Sequence, residues 1–139
     1  MYLNMEELLK NHNLKLIYMD MKEPGFYYPK AKMVVLNEKL HESTSEAFHL
    51  AHELGHFIAS HFEYAALYTS PTFHSKFEME ANKIAIALLL NIFIENELTD
   101  ESQFKLDKFM DFYSINKKLR ETCFEVCQSY FKNNYPHAV

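Results

Sequence analysis

Three histidines and one glutamate lie within eight consecutive positions, in the segment HLAHELGHF (49–57). On a helix that turns about 100° per residue, His49, His52 and His56 point to the same side, so direction alone does not separate them. Helix rise does, because His49 and His56 are about 10.5 Å apart along the axis, whereas two nitrogens on one zinc ion lie about 3–3.5 Å apart. A shared ion therefore takes His52 with only one of the other two. It also requires a helix here and a further ligand from elsewhere in the fold.

The position of Glu53 favours the pair His52 and His56. A catalytic zinc ion keeps three protein ligands and one open position for water, and a nearby carboxylate accepts a proton from that water. In the pattern H-E-x-x-H the glutamate follows the first histidine, where it reaches the water without binding the ion. The segment HELGH (52–56) fits this pattern at every position. It predicts two zinc ligands and a general base, and it leaves His49 as a polar neighbour in or beside the cleft.

The surrounding sequence predicts the helix that this site needs. Ser43 to Glu46 has the capping-box pattern, with Ser43 as the N-cap and Glu46 at the third helical position, and the helix is expected to run to about Ser60. Gly55 lies in the middle of this helix, where glycine costs about 1 kcal/mol relative to alanine. That cost is understandable if another backbone, or the site itself, approaches Gly55 closely.

Two glutamates near the start of a second predicted helix, at about 76–93, are candidates for the third ligand. With Lys76 set to zero, the apolar side of this helix centres at about 110°, while Glu80 lies at about 40° and Glu78 at about 200°. Both glutamates flank the apolar side at similar angles, so periodicity does not choose between them.

The order of the predicted elements indicates an α+β fold, because a small antiparallel or mixed sheet comes first and helices follow. The predicted elements before the site are a helix at 4–11 and strands at 14–20, 26–29 and 32–37; those after it include helices at 100–112 and 115–131. Pro71 is expected to break any helix within 61–74. The strand at 32–37 is either an edge that pairs with an extended substrate or a plain strand packed on the first site helix.

Composition and charge restrict the class of protein. With 139 residues, of which 48% are hydrophobic, the chain is expected to form a single domain, 1–139. Its net charge of -5 argues against a broad phosphate-binding surface. KKLR (117–120) is the only basic cluster in the stretch 101–131, which would otherwise be a candidate helix-turn-helix. Direct binding to nucleic acid is therefore not expected.

The sequence also predicts a location. The N-terminal segment MYLNMEELLK has no basic region followed by an apolar run, so it does not resemble a signal peptide. The longest apolar stretch, 84–94, is too short to cross a bilayer. Two cysteines alone do not require an oxidising compartment. We therefore expect a cytoplasmic protein with no membrane partner.

Two segments together resemble the ImmA/IrrE family of metallo-endopeptidases: LAHELGH and, further along, E-x-E-A-N-K-I-A-x-x-L-L. The upstream segment YYPKAKMVVLNEKL is similar to the strand that precedes the active-site helix in that family, and the resemblance covers about 14–95. It implies a zincin-like domain of the gluzincin type, with a catalytic core at 14–95 and a C-terminal helical segment at 99–139.

The resemblance also implies the site and its cofactor, Zn²⁺. His52 and His56 match the zinc histidines of the family, and Glu53 matches its general base. Glu80 stands directly before Ala81-Asn82 and matches the third ligand, in preference to Glu78. Side chains between the two site helices are candidates for stabilising the oxyanion; they are Tyr64, Tyr68 and His74.

The family's best-known members are encoded on phages and integrative elements, and they cleave a helix-turn-helix repressor. The resemblance therefore implies a zinc-dependent endopeptidase whose partner is such a repressor, and whose action derepresses a phage or mobile element. The alternative is a non-catalytic, zinc-containing antirepressor that binds the repressor without cutting it.

Overall fold

The computed structural model describes residues 3–60, 71–97 and 102–134. A small sheet comes first along the chain and helices follow, which confirms the predicted α+β fold. The regular elements are α1 (Leu3–Asn11), β1 (Lys15–Met19), β2 (Gly25–Tyr28), β3 (Met33–Asn37), α2 (Glu46–Ile58), α3 (Pro71–Glu97), α4 (Leu106–Phe112) and α5 (Arg120–Asn134). Short 3-10 helices occupy Pro29–Ala31, Glu38–Leu40 and Lys117–Leu119.

The three strands form a mixed sheet in the order β1-β3-β2. Strand β3 lies in the middle, parallel to β1 and antiparallel to β2. The edge-strand interpretation of 32–37 is therefore wrong, because both sides of β3 already bond to neighbouring strands. The alternative, a plain strand packed on the first site helix, is confirmed, because β3 contacts α2 and its Val34 and Leu36 are fully buried.

The connection from β1 to β2 passes over the end of β3. The side-chain amide of Asn37, the last residue of β3, donates to the carbonyl oxygens of Met21 (2.6 Å) and Glu23 (3.2 Å). These two bonds satisfy a buried amide and hold the connection across the sheet.

The core lies between one face of the sheet and the helices. The sheet contributes the buried residues Val34 and Leu36, with Leu16, Tyr18 and Tyr27 packed against them. The apolar stretch of α3 is central, since Ala85, Ile86, Leu89 and Leu90 have no exposed surface. Within the described residues, no helix combines the length and apolar character needed to cross a bilayer.

The beginnings of the two site helices differ from the predictions. Helix α2 begins at Glu46 with Ser45 as its N-cap, and no side chain caps it. The predicted capping box is therefore wrong, because Glu46 lies in the first helical position and its carboxylate turns away into the fold. Pro71 is the first residue of the described helix α3. Proline fits there because a first-turn amide has no partner within the helix.

Candidate metal centre

Helix α2 carries His52 and His56 one turn apart on the same side. Their Nε2 atoms lie 3.2 Å from each other, and their rings meet edge to face with centroids 4.8 Å apart. This separation falls within the range of about 3–3.5 Å expected for two nitrogens on one zinc ion.

A carboxylate from α3 completes the cluster. Glu78 Oε2 lies 2.6 Å from His56 Nε2, and Glu78 Oε1 lies 3.4 Å from His52 Nε2. In the described part of the chain, these three residues are the group whose ligand atoms all lie within 4.8 Å of one another. Two nitrogens and a carboxylate are donors that zinc accepts.

The structure places Glu78 where the resemblance implied Glu80. The Glu80 residue is exposed and does not belong to the group of three. The position that sequence reasoning kept as the alternative is therefore the one that faces the histidines.

The buried side of α3 accounts for this placement. Ala81, Ala85 and Leu89 have no exposed surface and mark the side of α3 that packs on the fold. On a helix turning about 100° per residue, the direction of Glu78 lies about 20° from the centre of these three, whereas that of Glu80 lies about 140° from it. Glu78 therefore points toward the packed side.

Gly55 permits the close approach of the two helices. A Cβ atom built on Gly55 would lie 2.7 Å from the carbonyl oxygen of Ala81 and 3.0 Å from its Cα. These distances are too short for any side chain. The prediction that another backbone approaches Gly55 is confirmed. The contact lies between His52 and His56 on α2 and three residues after Glu78 on α3.

Asn82 orients His52 and was not identified from the sequence. Its Oδ1 lies 2.8 Å from His52 Nδ1. Because an amide oxygen only accepts, this bond places an N–H on Nδ1 of His52 and leaves Nε2 facing His56 and Glu78. The signal was present in the sequence, since Asn82 follows Glu78 by one helical turn and so lies on the same side of α3.

The charges around His52 favour its protonated form in the metal-free protein. Burial alone would lower the pKa of His52, but the hydrogen bond that its ring donates to Glu78 and the charges of Glu53 and Glu78 outweigh burial and raise it. The cluster therefore attracts positive charge to the place where the donor atoms converge.

Glu53 lies beside the cluster and is 8% exposed. Burial raises the pKa of its carboxyl group, while the positive charges of His52 and His56 partly oppose this shift. Glu53 is not a member of the group of three. A buried carboxyl group with a raised pKa, adjacent to but outside the donor set, is typical of a general base.

The remaining candidates lie around the cluster. His49 is partly buried and is not a member of the group; burial and the neighbouring charge of His52 lower its pKa. His74 is exposed and lies on α3 one turn before Glu78, hence on the same side of that helix. Tyr64 and Tyr68 lie outside the described residues.

A buried carboxylate anchors the start of α2. Glu46 is 4% exposed, accepts a hydrogen bond of 2.5 Å from the Tyr18 hydroxyl on β1 and lies 3.4 Å from His41 Nδ1. Burial, followed by the hydrogen bond and charge of Glu46, raises the pKa of Tyr18. This contact joins the sheet to the helix that carries both histidines.

Comparison with known proteins identifies the family. A family model for the IrrE N-terminal-like domain, Peptidase_M78, matches residues 9–122. No curated protein and no solved structure gives a significant match. The match covers most of the chain and includes α2 with its two histidines and the start of α3 with Glu78. The chain therefore belongs to the ImmA/IrrE family of metallopeptidases.

Proposed function

We propose that this protein is a zinc-dependent endopeptidase that cleaves a helix-turn-helix repressor. The observation that carries the proposal is the convergence of His52, His56 and Glu78 beside the buried carboxyl group of Glu53. Three donors with a separate carboxyl group next to them form the arrangement of a catalytic zinc site, in which a fourth position stays open.

The donor set fits a zinc ion. Tetrahedral ligands with bonds of about 2.0–2.2 Å lie about 3.3 Å from one another. The separations of 3.2 Å between the histidine nitrogens and 3.4 Å from His52 to Glu78 agree with that value. The third, 2.6 Å from His56 to Glu78, is a hydrogen-bonding distance. A glutamate on the helix after the two histidines is the gluzincin arrangement that we propose for this domain.

Glu53 and Asn82 have different roles in the proposed reaction. When bound, zinc would polarise the scissile carbonyl and lower the pKa of water. Glu53 accepts the proton of the attacking water and delivers it to the leaving amine nitrogen. Its raised pKa supports this role, because a base that must also release the proton works best when its pKa is near the ambient pH. Asn82 keeps His52 in the orientation and tautomer that the site needs.

The edge of the sheet nearest the site is β2. Its neighbour on one side is β3, and in the described part of the chain its other side pairs with no strand. Tyr27 of β2 packs edge to face on Phe57, the residue after His56, with ring centroids 5.5 Å apart. We propose that an extended substrate pairs with β2, in place of the strand at 32–37. His74 and His49 are candidates to line the same cleft.

The substrate proposal rests on the family. By resemblance to members encoded on phages and integrative elements, the partner is a helix-turn-helix repressor, and its cleavage derepresses the element. The alternative is an antirepressor that binds without cutting. That function would require a closed, four-ligand zinc site. The three-residue donor group with Glu53 outside it favours catalysis.

The test is incubation of the purified, zinc-loaded chain with the repressor encoded beside its gene, followed by mass spectrometry of the products. We expect two fragments from a single cut, none in the presence of a chelator, and recovery when zinc is added back. A stable complex with intact repressor would instead support the antirepressor function.

A further inference from the structure

The sheet has a second face that the core does not use. Residues on β1, β2 and β3 alternate between the two faces, and most of those that point away from the core are again apolar. We name this surface the outer sheet face; it consists of Ile17, Met19, Phe26, Tyr28, Met33 and Val35. None of the six belongs to the hydrophobic core cluster. An exposed face of a sheet normally carries polar residues, so this composition is unusual.

The apolar residues form a continuous surface. The strand register aligns Ile17, Val35 and Phe26 in one row across all three strands. The outer members of that row, Ile17 and Phe26, are 38% and 40% exposed, whereas Val35 between them is only 1% exposed. Met19 and Tyr28, at opposite ends of the face, are 47% and 44% exposed. Contiguous apolar patches of this kind mark protein interaction sites more often than scattered apolar residues do.

The two ends of the outer sheet face carry different charges. At one end, where β1 and β3 begin and β2 ends, three exposed lysines are found: Lys15, Lys30 and Lys32. At the other end, the connection from β1 to β2 carries exposed Asp20 and Glu23 together with Lys22. The hydrogen bonds from Asn37 hold this connection over the end of β3. The face is therefore basic at one end, acidic on balance at the other, and apolar between them.

We propose that the outer sheet face binds a second copy of this chain. A two-fold axis parallel to the sheet and perpendicular to the strands superposes the apolar rows of two copies and reverses the strand direction. It brings Lys15 of one copy opposite Asp20 of the second, and Lys30 toward Glu23 of the second. An axis parallel to the strands would instead place lysines opposite lysines. The charge pattern therefore selects one arrangement, in which two sheets pack face to face.

Sedimentation velocity of the 139-residue chain over a range of concentrations tests the apolar contact. We expect a reversible monomer–dimer equilibrium, whose dissociation constant rises about tenfold or more in Phe26→Ser. The matched control is Phe124→Ser, which removes an aromatic residue that is 50% exposed on α5 and leaves the dimer unchanged. A wild-type protein that stays monomeric at every concentration would overturn the proposal, as would equal effects of the two substitutions.

A charge exchange tests the orientation. Lys15→Glu and Asp20→Lys should each weaken the dimer, because each places like charges opposite each other, and the double variant should recover the wild-type dissociation constant. Circular dichroism of each variant checks that the fold is retained. Additive weakening in the double variant would exclude this two-fold arrangement. Binding of monomers to the repressor through Phe26, without self-association, would assign the face to a different partner.

Discussion

Gly55 on α2 lies against the backbone of Ala81 on α3, so closely that a Cβ on Gly55 would come within 2.7 Å of the Ala81 carbonyl oxygen. This contact occurs where the two halves of the candidate metal centre meet. The histidines flank Gly55 on one helix, and Glu78 precedes Ala81 by one turn on the other. The distance between the two backbones at this point therefore sets the distance between Glu78 and the histidines.

Gly55→Ala is expected to destabilise the fold and weaken zinc binding. Alanine favours a helix over glycine by about 1 kcal/mol, but forcing a methyl group into this contact typically costs about 1–3 kcal/mol. The helices must separate, and Glu78 moves away from His52 and His56. Thermal unfolding with and without zinc measures both effects. Ala81→Gly should not rescue the variant, since the clash is with backbone atoms. An unchanged melting temperature and zinc affinity would contradict this account.

Loss of a residue that only hydrogen-bonds to a zinc ligand typically lowers zinc affinity about 10–100-fold. Glu78→Gln should lower zinc affinity by more than this, because it replaces a charged donor to the ion with a neutral one. Glu80→Gln is the matched control, two residues away on the same helix with its residue exposed, and should bind zinc as the wild type does. Competition with a chromophoric chelator measures both affinities. The reverse ranking would restore Glu80 as the third ligand.

The half of the site on α2 is predictable from the sequence because its geometry is local. His56 follows His52 by four positions, and a helix converts that spacing into adjacent side chains whatever the rest of the fold does. The separation of 3.2 Å between their Nε2 atoms is in the range expected from helix geometry and zinc–nitrogen bond lengths. The unfavourable position of Gly55 within the helix likewise pointed to a close backbone contact.

The part of the site on α3 was harder to predict from the sequence, because it depends on the rotation of one helix relative to another. The predicted apolar side between the two glutamates rested on Phe77, Ala81, Ile84 and Leu88, of which Ile84 and Leu88 are only partly buried. The small residues Ala81 and Ala85 mark the packed side instead, since they allow backbones to approach. Because alanine is only weakly hydrophobic, such residues contribute little to an apolar side predicted from hydrophobicity. A pattern of small residues one turn apart, opposite a glycine on the partner helix, would have indicated Glu78.

Strand order could not be predicted for a similar reason. The pattern of 32–37 predicts a strand, but pairing with β1 and β2 is a long-range property. One local signal was available, because a run of apolar residues without alternation is typical of a strand buried on both faces. The capping-box pattern at Ser43 failed because Glu46 makes a stronger contact with Tyr18, on a strand distant in sequence.

Asn82→Ala should lower zinc affinity about 10–100-fold without abolishing binding, because His52 keeps its donor atom but loses its orientation. Asn91→Ala is the control: Asn91 also lies on α3 and accepts a hydrogen bond from Tyr130, away from the cluster. Calorimetric zinc titration of both variants separates orientation from general damage to α3. Equal losses in the two variants would mean that the 2.8 Å contact with His52 does not matter for the metal.

Glu53→Gln should leave zinc near one equivalent and reduce repressor cleavage by about 10²–10⁴-fold, since glutamine does not accept the proton of water. Zinc content by elemental analysis and cleavage by mass spectrometry are measured on the same preparation. Full retention of cleavage would remove Glu53 from the reaction. Loss of zinc together with cleavage would show that Glu53 contributes to binding the ion.

Tyr18→Phe should destabilise the fold by about 1–3 kcal/mol, because it leaves the buried Glu46 carboxylate without its hydroxyl partner.

The stabilising effect of Tyr18 should depend on pH with a defined sign. Burial and Glu46 raise the pKa of Tyr18 in the folded state, so its contribution is complete below the ordinary tyrosine pKa of about 10 and is lost as pH rises above it. Urea unfolding between neutral pH and pH 11 should show a smaller alkaline loss in Tyr18→Phe. Tyr28→Phe, at an exposed tyrosine on β2, serves as the control and should behave as the wild type; equal alkaline losses in all three proteins would show that Tyr18 does not link β1 to α2.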